Sequence, residues 1–314
     1  ISSFALTNGK AYTADRFWLN PQSVASTHSR QAVTSPIAGM ASQYCLRIQR
    51  NINVSATGLI YFATDLESTN AFACRGRKLT LSFYARKHAT GYTATSDLFS
   101  LGIVSGKGTD QTLVNGYTSG SYVANQSNTL TSSWQRFTVT TSSVIADDIT
   151  QIGLQGTRTS VGTAGTNDYM EITGIQVEIS DAATDFEHRS YGEELALCQR
   201  YYHTAAYRLA IHTQTNAVLF NLDFPSTMRA IPSLSIFGSG NKSASTIYYE
   251  YEPWQNVGTA TSSAVSSGNL HQSGGAIRVT STYSNSPSVG KPVAIFLANR
   301  TSTNASYLIL DSEL

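Results

Sequence analysis

A single segment of this chain reads as a helix, and almost everything around it alternates between apolar and polar residues with the two-residue period of a strand. The helix is expected over Ser190–Tyr202. Ser190 followed three residues later by Glu193 is a capping box, in which hydroxyl and carboxylate satisfy backbone N–H groups that the first turn leaves unpaired. Leu195, Cys198 and Tyr202 fall at i, i+3 and i+7, with Leu197 and Tyr201 beside them, so one face is apolar enough to dock. One short helix cannot organise 314 residues, so it reads as a joint between two β domains.

The strands show in the alternation. Leu79, Leu81, Phe83 and Ala85 interleave with Thr80, Ser82, Tyr84 and Arg86, which puts one face on a core and the other toward water or a neighbour. Phe137 and Val139 repeat the beat, and Trp18 and Trp134, both in strand patterns, are assigned to the core. Between Asp168 and Ile179 the apolar parity changes at Thr173–Gly174: Met170 and Ile172 share one parity, Ile175, Val177 and Ile179 the other. That is either a β-bulge that keeps both sets on the core or a strand buried on both faces. Beyond the helix, Val218–Phe224, Leu234–Ile236, Ile277–Val279, Val293–Leu297 and Leu308–Leu310 read as further strands. The low-complexity run Gly258–Gly268 is either an exposed hairpin loop or a segment ordered by a neighbouring subunit. Turn-rich connections favour antiparallel sandwiches over βαβ units. The expectation is an all-β chain: an N-terminal jelly-roll β-sandwich over 1–188, a short connecting helix over 189–203, and a second, smaller β-sandwich over 204–314.

Chemistry is sparse in this sequence. Only 13% of residues are charged and the formal net charge is +1 with no basic block, which argues against a nucleic-acid partner. No apolar run approaches the ~20 residues of a membrane span, so no membrane insertion is expected. Cys45, Cys74 and Cys198 lack metal-ligand spacing and read as small buried hydrophobes. Nucleophile-elbow, phosphate-loop and zinc-helix motifs are missing, and the paired carboxylates Asp147–Asp148, Asp185/Glu187 and Glu193–Glu194 lie too close in sequence to face each other across a cleft; the chain is expected to be no enzyme and to need no cofactor. The aromatics are the remaining signal. Tyr248, Tyr249, Tyr251 and Trp254 stand with Glu250 and Glu252 in one seven-residue stretch, offering flat apolar faces for pyranose rings and acceptors for hydroxyls. The alternative is a strand whose Tyr249 and Tyr251 pack on the core or between subunits.

Several segments carry a family resemblance. Gly174–Glu178, then Ala183–Glu187, then Glu193–Tyr202 resemble a block that recurs in tail-fibre and related receptor-binding virion proteins of tailed bacteriophages. Tyr12–Trp18 is similar to that family's opening element, Leu66–Glu67 with Gly76–Arg86 and Trp134–Val139 to its central strands, and Phe224–Pro232 with Leu310–Leu314 to its C-terminal domain. The likeness touches most of the chain and is dense over 170–232. It implies the distal part of a tail fibre, adhering to a host surface glycan or outer-membrane receptor without catalysis. It also implies a homotrimer, a virion-tail location after assembly in the host cytoplasm, and contact with other tail proteins through a further N-terminal part before Ile1. The alternatives are a structural virion component (collar, baseplate or capsid decoration) and a carbohydrate-binding module of a secreted glycosidase. Jelly rolls that resemble such modules often hold one structural calcium, and Asp168 and Glu171 beside the last strand are its expected ligands.

Overall fold

The structure is a computed structural model that describes residues 3–14, 17–205, 207–214, 217–229, 232–238, 246–251, 256–271, 273–283, 292–296 and 306–311; in most strands after residue 203 the description is of backbone. The chain divides into two compact units, Ile1–His188 and Arg189–Glu313. Both are all-β apart from one short helix each.

The first unit runs β1 (Ser3–Leu6), β2 (Ala11–Ala14), β3 (Phe17–Asn20), β4 (Ser26–Ala32), β5 (Tyr44–Arg50), β6 (Gly58–Asp65), α1 (Ser68–Phe72), β7 (Leu79–Lys87), β8 (Leu98–Lys107), β9 (Thr118–Thr129), β10 (Gln135–Thr140), β11 (Gln151–Ser160) and β12 (Tyr169–Ile179). Two six-stranded antiparallel sheets result, a front sheet ordered β2-β3-β6-β11-β8-β9 and a back sheet ordered β1-β4-β5-β12-β7-β10. The alternating apolar residues meet between them: Leu79, Leu81, Phe83, Ile172 and Met170 from the back, Leu19, Phe62, Phe99, Leu101 and Ile152 from the front. Phe62 stacks on Phe99, which Phe83 meets edge-on at 6.1 Å between ring centroids.

The parity change in β12 is a bulge. Its register against β7 shifts between Thr173 and Gln176, and Gly174 takes φ +59°, where a side chain is strained and a Cβ would run into Met40 Sδ. Ile175 and Val177 consequently pack on the same core as Met170 and Ile172. In β7 the polar parity is buried too. Segments 33–43 and 180–188 lie over that face, where Ile37, Met40, Val33, Trp134 and Phe186 gather around Tyr84, and Thr80 Oγ1 donates to the Ser180 carbonyl at 2.9 Å. Trp18 is buried as assigned, but neither tryptophan packs between the two sheets. Trp134 belongs to this outer cover, and Trp18, though 1% exposed, lies on the face of β3 away from the intersheet core, because its neighbour Leu19 takes the inward parity.

In the second unit α2 covers Tyr191–Gln199, with Ser190 as N-cap and the capping box formed: Glu193 N–H donates to Ser190 Oγ at 3.3 Å, and Ser190 N–H to Glu193 Oε2 at 2.9 Å. The helix stops earlier than Tyr202, because residues 226–229 supply partners for its end: Ser226 Oγ donates to the Ala196 carbonyl and Arg229 N–H to the Arg200 carbonyl. Of the expected docking face only Tyr201 is fully buried; Leu195 and Leu197 are 39% and 37% exposed. The strands that follow are β13 (Tyr202–Ala205), β14 (Tyr207–Gln214), β15 (Ala217–Asp223), β16 (Ser233–Gly238), β17 (Thr246–Tyr251), β18 (Asn256–His271), β19 (Gly274–Tyr283), β20 (Pro292–Phe296) and β21 (Ser306–Asp311). β13, β21 and β16 form a small sheet, while β14-β15-β19-β18-β17-β20 close into a barrel. The sequence reading expects a sandwich here; the strands are all antiparallel as that requires, and the larger sheet additionally closes on itself, which removes its edges. The Gly258–Gly268 run lies inside β18 rather than in a loop, paired to β19 with register shifts at Ser262/Ala264 and Ser267/Asn269. Its Ser and Thr residues suffice for a strand because a neighbour pairs its backbone along the run, β17 as far as Thr261 and β19 from Ala260 on.

Candidate functional site: a cleft on the front sheet

The outer face of the front sheet carries a cleft of about 480 Å³, in the size range of small-ligand sites. Two rows of paired residues run across its floor. Asn20, Tyr61 and Thr157 stand in register on β3, β6 and β11; one step along, Trp18, Ala63, Gln155, Gly102 and Asn125 follow in register from β3 to β9. Ala63 and Gly102 keep the floor low on either side of Gln155. A Cβ on Gly102 would come within 2.5 Å of the Ala124 carbonyl oxygen and 2.9 Å of Asn125 Oδ1, so only glycine lets the Asn125 amide lie across β8. Tyr122 is 44% exposed and donates its hydroxyl to Gln155 Oε1 at 2.8 Å. Burial, with the Tyr61 phenol nearby, pushes the Tyr122 hydroxyl up to about 12, so Tyr122 acts as a neutral hydrogen-bonding ring.

Loop 108–117 supplies one wall, through Leu113 and Val114. A buried carboxylate holds it: Asp65 Oδ1 accepts from the Leu113 N–H at 2.9 Å and from the Tyr117 hydroxyl. Burial raises the Asp65 carboxyl above its ordinary range, against the pull of those two donors. At the loop's start, Ser68 and Asp110 exchange hydrogen bonds of 3.0 and 2.8 Å, and Gln111 N–H donates to Gln151 Oε1 at 2.7 Å. The wall is therefore fixed by buried partners on β6, β11 and α1.

Asp168 and Glu171 are not brought together. Asp168 is fully buried, where Arg158 Nη2 donates to Oδ1 at 2.6 Å, Arg50 Nη1 to Oδ2 at 3.0 Å, and the Thr93 N–H to Oδ1 at 3.0 Å. Burial acts to raise this carboxyl, but Arg158 and Thr93 outweigh it and hold it below the usual carboxylate range. Glu171 lies on the outer face of the back sheet, taking Arg47 Nη2 on Oε1 at 2.6 Å and Arg86 Nε on Oε2 at 2.7 Å. Two guanidinium groups on each carboxylate leave no negative charge for a divalent cation, so these residues do not fit the expected calcium. Oxygen donors are present near Asp168, but Arg50 already fills them: its guanidinium donates to Asp168 Oδ2, Thr93 Oγ1 and the carbonyls of Val54, Ala56, Val161 and Gly162. Among the described residues no group of three His, Cys, Asp or Glu side chains could hold a metal ion. Tyr248, Tyr249 and Tyr251 lie on β17, with their side chains outside the described residues, and Trp254 lies outside them entirely.

Sequence reasoning misses the cleft because its residues come from four strands and three loops, none with a local motif. The available signal is on the polar parity of the strands: Leu59 and Tyr61, Tyr122, and Gln155 and Thr157 all stand opposite core positions.

No family model and no curated protein matches the chain. Among solved structures it is similar to a cyclase from Fischerella sp. TAU, at 11% identity over 57% of this chain and 90% of that one, with a TM-score of 0.36. The enzymatically active domain of bacteriophage CBA120 tailspike protein 4 is 10% identical over 57% of this chain and 19% of its own, with a TM-score of 0.34. The C-terminal family 22 carbohydrate binding module of Clostridium thermocellum Xyn10B is 9% identical over 50% of this chain and 85% of its own, with a TM-score of 0.30. Likenesses this distant leave function to be argued from the cleft itself.

Proposed function

We propose that this chain binds a glycan through the front-sheet cleft, as a non-catalytic adhesin in the distal part of a bacteriophage tail fibre. The observation that carries the binding reading is the lining of the cleft: two tyrosines, amides from Asn20, Gln22, Asn125 and Gln155, a threonine hydroxyl, and no carboxylate, histidine or cysteine. Flat rings beside fixed amides suit the apolar faces and hydroxyls of pyranoses. Glycoside hydrolysis by the common route needs two facing carboxyl groups, and none lines this cleft. The tail-fibre setting rests on the resemblance of the 170–232 block. In that setting a homotrimer, joined to the virion through other tail proteins, presents several weak sites at once, and avidity multiplies their affinity without new contacts.

A glycan array probed with the full chain tests the binding reading. Retention of at least one glycan is expected, with loss in Tyr61→Ala and Tyr122→Ala and none in Tyr249→Ala or Trp254→Ala. Retention unaltered by the first pair and lost in the second moves the site to the second unit. For the adhesin role, excess chain is expected to block virion attachment to host cells, and light scattering is expected to give a trimer mass. Cleavage of the retained glycan would overturn the non-catalytic reading.

A further inference from the structure

Three acceptors of the cleft are engaged inside the protein. Gln155 Oε1 takes the Tyr122 hydroxyl, Asn20 Oδ1 takes the Gln22 N–H at 3.3 Å, and the Val114 carbonyl takes the Lys10 ammonium. Beside a second lone pair on each amide oxygen, these groups keep donors for a ligand: the amide NH2 of Gln155, the amide NH2 of Asn20, and the remaining N–H groups of Lys10. Lys10 is the one charged residue in the lining, and its only hydrogen bond among the described residues is to that neutral carbonyl. The lining thus carries one positive charge and no negative one.

A neutral sugar hydroxyl can bond to these amides but gains nothing from the charge of Lys10. An anionic oxygen only accepts, and its hydrogen bonds from amides and an ammonium are charge-assisted and shorter. With no carboxylate in the lining, nothing repels it. A cationic amino sugar, by contrast, meets a like charge and no carboxylate. We infer that the ligand of this cleft is an acidic glycan, a pyranose chain bearing carboxylate, sulfate or phosphate, with an acidic group at the Lys10 end and acceptor oxygens on Gln155 and Asn20. This rests on the glycan reading above.

Calorimetric titration of the full chain with three matched probes separates the two claims: an oligogalacturonate, its carboxyl-reduced neutral counterpart, and a sulfated derivative of that counterpart. At low salt an acidic probe is expected to bind at least tenfold more tightly than the neutral one, the gap closing as ionic strength rises; which acidic probe leads tells carboxylate from sulfate. Lys10→Gln is expected to close the gap, weakening the acidic probes at least tenfold more than the neutral one. Gln155→Glu, which turns a donor into an acceptor, is expected to abolish acidic binding with the thermal transition unmoved. Equal or tighter binding of the neutral probe, or an acidic preference that survives Lys10→Gln, overturns the inference while the cleft remains a glycan site. If none of these probes and no glycan of a broad array is retained, the glycan reading falls and this inference with it.

Discussion

The two outer faces of the first sandwich start from the same alternation and end differently. On the back sheet, Tyr84 is roofed by segments 33–43 and 180–188, and both oxygens of the buried Glu171 carboxylate take an arginine. On the front sheet, Tyr61, Tyr122, Asn125 and Gln155 stay open to solvent beside a wall loop held from below. A polar parity therefore does not announce a binding face. What decides is which connecting segments fold back over it, and which small residues keep its floor low.

The largest expected effect comes from what the two faces share. Asp168 joins Arg50 on the back sheet to Arg158 on the front, all three at most 2% exposed. Asp168→Ala leaves two buried guanidinium groups without their counter-charge and is expected to cost about 3–5 kcal/mol in denaturant unfolding. Loss of glycan binding with unchanged stability would mean that Asp168 serves the front face alone, and would break the comparison.

Glu171→Ala attacks only the roofed face. Its arginine partners keep partial contact with water, so a smaller loss of about 2 kcal/mol is expected, with cleft affinity unchanged. A change in affinity would show that the faces are coupled through the sandwich.

The edge between the sheets carries a pH response. His28 on β4 is buried against Phe62, bonds Thr13 on β2 at 2.8 Å, and is lowered by burial from 6.5 to about 3. The unfolded chain then binds a proton that the folded chain refuses. Stability from this group is full above pH 6.5 and falls by about 1.4 kcal/mol per pH unit between 6.5 and 3. Denaturant midpoints of wild type and His28→Gln across that window should converge as pH falls; parallel curves would show that His28 is not held neutral.

Tyr122→Phe has the smallest expected effect on stability, within about 0.5 kcal/mol, because the hydroxyl lies on an open surface. It frees Gln155 to turn, so affinity for the retained glycan is expected to fall severalfold in titration. An equal loss of stability would show the front face to be structural as the back one is.

The local features were legible. Ser190 and Glu193 cap α2, and the parity change at Thr173–Gly174 is a bulge, because each depends on residues within a few positions. Asp168 and Glu171 stood out as unusual carboxylates, but their chemistry was misread as metal ligation. The partners that neutralise them, Arg50, Arg158, Arg47 and Arg86, lie up to 124 residues away. Gly258–Gly268 misled for a related reason, since a composition suited to a loop becomes a strand once distant strands pair with its backbone.

By itself the sequence determined the class of the fold, the position of the cap and the bulge, and the parity of each strand, because these follow from backbone geometry over a few residues. Only the tertiary structure decided which polar parity is roofed and which is open, and that Asn20, Tyr61, Tyr122 and Gln155 share one cleft. Those outcomes depend on pairing between strands distant in sequence, where no local pattern records the partner.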